Sequence, residues 1–90
     1  MNKKQSLKIV KEFLKENAIP AKKDLMLLIE DNIEQIIENE NNKRTLIGTV
    51  LGTAVYAGIK HGTDYKISMK KIADFFCVDN TTISKCYRRN

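Results

Sequence analysis

Apolar residues recur along this chain at three- and four-residue intervals, the period of helices buried along one side. Leu7, Val10 and Leu14, widened by Phe13, mark a first helix over 4–16, and Lys4, Lys8, Lys11 and Lys15 form a basic row along it. Asn17-Ala18-Ile19-Pro20 breaks the pattern, since proline cannot sit inside a helix but suits a first helical turn. A second helix then runs to about residue 40, with Leu25, Leu28, Ile29, Ile33, Ile36 and Ile37 as its apolar stripe. Its acids fall on the other faces, and Asp24 lies near its start, where the helix dipole favours negative charge. After the polar loop Glu40-Asn41-Asn42-Lys43, the segment from about 44 to 60 is apolar or small almost all round, which predicts a helix buried on every side. Gly48, Gly52, Ala54, Ala57 and Gly58 suit close helix approach, which offsets the roughly 1 kcal/mol a helical glycine costs. His61-Gly62-Thr63-Asp64 ends this helix, with Gly62 in the usual place for a left-handed cap.

The last stretch, 67–90, reads as two short amphipathic helices joined by a tight turn at Phe76-Cys77-Val78. Ser68 can cap the first, and Asp79 or Asn80 the second, because a short side-chain oxygen accepts the unpaired amide hydrogens there. Ile72, Phe76, Val78, Ile83 and Cys86 are expected inward, with Ala73 small where the helices cross. This is the pattern of a helix-turn-helix, whose second helix reads the major groove of DNA. Thr81, Ser84, Lys85, Arg88 and Arg89 are expected on the exposed face of that helix, and no acid follows Asp79. With Asn80 and Thr82 these make the candidate DNA-binding set. The whole is an all-α, five-helix architecture with the third helix buried by the other four.

Ninety residues allow one domain, 1–90, because a second would be too small to bury its own core. A hydrophobic fraction of 42% suits a folded chain. The net charge of +5 favours an anionic partner, and its distribution says more. Residues 1–23 carry +5, residues 24–42 carry −6 and residues 43–90 carry +6, so an acidic helix separates two basic regions. Cys77 and Cys86 both lie on the expected inward pattern of the helix-turn-helix, where a thiol acts as a small apolar group. With His61 as the single histidine they cannot complete a tetrahedral zinc site, and neither metal nor other cofactor is expected. No acid–base pair, activated nucleophile or phosphate-cradling loop stands out; Gly48 and Gly52 lie within a helix and lack the Lys-Ser or Lys-Thr of a P-loop. Catalysis is therefore not expected. The longest uncharged run, 45–59, is too short and too rich in Gly and Thr to span a membrane, and no signal peptide is visible. A reduced, cytoplasmic protein is the expectation, nucleoid-associated in a prokaryote.

Ala54-Val55-Tyr56-Ala57 in the third helix, then Ser68-Met69-Lys70-Lys71-Ile72-Ala73, Val78, Thr82-Ile83 and Tyr87, carry a family resemblance. From residue 44 onward the chain resembles one cyclin-like repeat of transcription factor IIB and of its archaeal counterpart, transcription factor B. Before that the likeness is one of helix order only. In that family the second repeat reads a promoter element upstream of the TATA box with its helix-turn-helix, beside the TATA-binding protein. The resemblance implies that the helix over 80–89 makes the equivalent contacts. Lys85, Arg88 and Arg89 would hold phosphates or guanine edges, with Thr81 and Ser84 close to bases. It also makes the TATA-binding protein or another transcription component an expected partner. Departures are clear. Cys77 stands where the family has a turn glycine, which argues for a slightly different turn. Ser84 and Cys86 replace basic or amide groups, so the same promoter sequence need not be recognised. The chain has one repeat rather than two and no zinc ribbon, which points to a stand-alone regulator or a repeat that pairs with another copy.

Two functional readings follow. The first is a double-stranded DNA-binding transcription regulator, needing a homodimer or partner for useful specificity because a single small module binds weakly. The second is a cyclin-like protein-interaction module that docks through the acidic second helix without touching DNA.

Overall fold

The computed structural model describes residues 3–40 and 45–90. Among these are five helices and no strand: α1 (Lys3–Glu16), α2 (Lys23–Asn39), α3 (Ile47–Gly62), α4 (Met69–Phe76) and α5 (Asn80–Arg89). The all-α, five-helix expectation is met.

In α1 the stripe Val10, Phe13 and Leu14 is buried, while Lys4, Lys8, Lys11 and Lys15 face solvent. The helix ends where Ala18 turns left-handed at φ 56°. The Ile19 amide donates to the Leu14 carbonyl at 2.8 Å and the Ala18 amide to Lys15 at 3.1 Å. This is a Schellman closure, and the burial of Ile19 supplies the apolar contact that usually accompanies it. Residues 19–22 are not helical and Lys22 is extended at the N-cap of α2, so Pro20 precedes α2 and does not enter its first turn.

Leu25, Ile29, Ile33 and Ile36 form the buried stripe of α2, with Leu28 half-buried. Ile37 is 49% exposed, and Glu40, expected on a solvated face, is only 4% exposed. Helical spacing accounts for both departures. At about 100° per residue, Ile37 rotates off the stripe that Ile33 and Ile36 define, whereas position 40 returns to it.

The Asn41-Asn42-Lys43 part of the expected loop and the expected helix start at Arg44 lie outside the described residues. α3 begins at Ile47 and continues through Gly62, two residues past its expected end. It contacts α2, α5, α4 and α1, and Thr49 to Val55 are buried without interruption, so it is the central post. Its small residues mark where neighbours cross. A Cβ built on Gly58 would lie 2.5 Å from Ile29 of α2, and one on Gly52 2.9 Å from Ile83 of α5. Gly62 is not a left-handed cap: it stays helical, Thr63 is the extended cap, and no glycine has positive φ. Space is what Gly62 provides, since a Cβ there would lie 2.7 Å from Leu28. Phe13 packs edge-on to Phe75 at 5.1 Å and beside Phe76 at 5.8 Å, which joins α1 to α4.

Candidate nucleic-acid interface

The helix-turn-helix is built from local signals in 68–90. Ser68 caps α4, its Oγ accepting from the Lys71 amide at 3.1 Å. The helix closes at Cys77, which is left-handed at φ 58°, ψ 43°. The Val78 amide donates to the Ala73 carbonyl at 3.0 Å and the Cys77 amide to Asp74 at 3.4 Å, a second Schellman closure. Cysteine thus adopts the conformation that a glycine favours at such a position. Its thiol is exposed, not inward as its place in the pattern suggested, because a left-handed residue leaves the helical register. Asp79 stands at the N-cap of α5 but makes no side-chain capping bond, and Asn80 is already helical.

Two crossings hold α5 in place. Ile83 and Cys86 are fully buried beside Ile72 and Ala73, and Phe76 and Val78 cover the turn as half-buried contacts. Burial pushes the Cys86 thiol above its ordinary pKa, an effect opposed by the Thr53 hydroxyl beside it and reinforced by the Glu40 charge.

Of the candidate set, Asn80, Thr81, Thr82, Lys85 and Arg88 are exposed, and Thr81, Lys85 and Arg88 fall at i, i+4 and i+7 on one outward stripe. Ser84 is half-buried at the edge of that stripe. Arg89 is exposed as well, its side chain 42% accessible, but its guanidinium is already engaged. Its Nη2 and Nε donate to Glu40 Oε1 at 2.6 and 3.2 Å, which raises the guanidinium pKa further above its ordinary value. Around this pair the Cys86 Sγ lies 3.7 Å from the same carboxylate oxygen, and Asn39 Nδ2 donates to Asn90 Oδ1 at 2.8 Å. The carboxyl ends of α2 and α5 are thereby latched together. Sequence reading placed Glu40 among solvated acids, yet its i+4 spacing from Ile36 carried the signal.

A second group escaped the sequence reading. Beside α5, Tyr87 meets Tyr56 edge-on at 5.1 Å, and its hydroxyl lies 2.8 Å from His61 Nε2. Lys60 Nζ sits 5.3 Å from the Tyr87 ring centroid and 5.6 Å from that of Tyr56. Tyr56 and Lys60 stand one helical turn apart, a spacing visible in the sequence, but nothing there placed Tyr87 against them.

Among the described residues no group of three or more His, Cys, Asp and Glu side chains is placed to hold a metal ion. No helix among them is long and apolar enough to cross a membrane. Compared with family models, with characterised proteins and with solved structures, the chain finds no match in any of the three.

Proposed function

We propose that this protein binds double-stranded DNA by laying α5 in the major groove, and that it acts as a transcription regulator resembling a single cyclin-like repeat of transcription factor IIB. One observation carries the reading: Thr81, Lys85 and Arg88 line up on the outward stripe of a helix whose opposite side, Ile83 and Cys86, is fully buried. Such a stripe offers hydroxyl and cationic donors to base edges and phosphates while its helix is held by the core. The order of five helices around a buried third is consistent with the cyclin-like resemblance. A single module of this size needs a second copy, or a transcription component such as the TATA-binding protein, to reach useful specificity.

The test is titration of isotope-labelled protein with a DNA duplex, followed by amide NMR. Shifts concentrated in Asp79 to Asn90 and lost at raised salt are expected. An absence of shifts there would overturn the reading.

The docking alternative keeps one specific support. On α2, Leu27 and Ile37 are exposed along with the acids Asp31, Glu34 and Glu38, so an apolar and acidic surface faces solvent together. Charge reversal at Glu34 and Glu38 that abolished function, with Lys85→Ala and Arg88→Ala tolerated, would favour it.

A further inference from the structure

The two edges of α5 differ in a way that bears on DNA, given the reading of α5 as the major-groove helix. That groove is about 12 Å wide and a helix with side chains about 10–12 Å across, so α5 would fill it. Cations beside its edges would then meet sugar-phosphate walls rather than bases. Tyr87 and Arg89 are two residues apart, about 200° around the helix, and so stand on opposite edges.

On the Arg89 edge the positive charge is already matched. Both guanidinium contacts go to Glu40, which is buried, and the Asn39–Asn90 bond closes over the same place. For Arg89 to grip a phosphate it would have to leave a carboxylate that water can scarcely reach, a costly exchange. On the Tyr87 edge Lys60 is exposed, and among the described residues no carboxylate pairs with it. The faces of Tyr56 and Tyr87 hold its ammonium against α5, within cation–π range. The Tyr87 ring is itself fixed by Tyr56 and by the His61 contact. An ammonium held in place beside a groove-filling helix is suited to a phosphodiester oxygen, which lysine binds as a point charge.

We propose that Lys60 is a phosphate-binding residue of the DNA surface, and that Arg89 is instead a positioning residue that fixes the end of α5 to α2 through Glu40.

The experiment measures binding of the full chain to a mixed-sequence duplex of about 20 base pairs, two helical turns, across a series of salt concentrations. K60Q is expected to reduce the slope of log affinity against log salt by about 0.9, the value of one phosphate contact, as K85Q should. R89Q is expected to leave that slope at the wild-type value. E40Q, which frees Arg89 without deleting it, is expected to steepen the slope by about 0.9, and it decides the Arg89 assignment should R89Q fail to fold. An unchanged slope in K60Q, with K85Q and R88Q both shallower, would overturn the Lys60 assignment and leave the reading of α5 standing. A shallower slope in R89Q, or an unchanged one in E40Q, would overturn the Arg89 assignment. Absence of duplex binding by the wild-type chain would overturn both the proposal and the reading beneath it.

Discussion

Ala18 and Cys77 hold left-handed backbone conformations that an L side chain occupies at a cost of roughly 1–2 kcal/mol. Both sit just past a helix, Ala18 two residues beyond α1 and Cys77 one beyond α4, where glycine is the usual occupant. The cost is borne because each closure directs the next residue inward, Ile19 fully and Val78 in part. Ala18→Gly and Cys77→Gly are each expected to stabilise the fold by about 1 kcal/mol, after the greater freedom of glycine in the unfolded chain is subtracted. Urea denaturation would read this as a rise in midpoint at constant slope. Cys86 makes a different prediction. Its folded pKa is raised, so the unfolded thiol ionises first and the unfolded chain binds fewer protons across the interval. Stability should therefore be complete below the ordinary thiol pKa of about 8.5 and fall as pH rises through the folded value. Cys86→Ala should flatten that alkaline slope in denaturation curves taken from neutral pH upward, whatever it costs in packing.

Among the helices, α3 shows how similar glycines serve unlike contacts. A Cβ on Gly48 would lie 2.7 Å from the Phe76 carbonyl oxygen, part of the backbone that leads into the turn. One on Gly62 would meet only the far ends of flexible side chains, Leu28 at 2.7 Å and Leu25 at 3.7 Å, at an exposed helix terminus. Gly48→Ala is expected to destabilise by more than about 1 kcal/mol, since the clash must exceed the helix propensity that alanine supplies. Gly62→Ala should be neutral or stabilising by a few tenths of that. Thermal unfolding of the two variants side by side would check the contrast; equal effects would contradict the packing described. The latch between α2 and α5 predicts a second contrast. Arg89→Ala removes both guanidinium bonds from a buried carboxylate and should lower the unfolding midpoint clearly more than Lys85→Ala, an exposed residue for which no such bond is seen among the described residues.

For the molecule as a whole, charge is laid out by helix. The α1 lysines and the α5 stripe are basic and exposed, while α2 turns Asp31, Glu34 and Glu38 to solvent. If α5 is the DNA surface, double replacement of Lys85 and Arg88 by Gln should weaken duplex binding at every sequence and take about two phosphate contacts from the salt slope.

Periodicity carried much of this fold in one dimension. Side chains three and four residues apart share a helix face, so the stripes of α1, α2 and α5 and the all-round burial of α3 could be read without any neighbour in view. Ser68 as a cap was equally local. Contacts between helices were of another kind. The pairing of Glu40 with Arg89 and the placing of Lys60 over Tyr56 and Tyr87 each depend on where a second helix lies. Gly62 shows the same division: locally it signalled a left-handed cap, yet in the fold it stays helical, with Leu28, more than thirty residues earlier in the chain, packed beside it. Local sequence sets which side of a helix is apolar, but the partner of a particular charge or ring is chosen by long-range packing, and that choice separates Arg89 from Lys85 and Arg88.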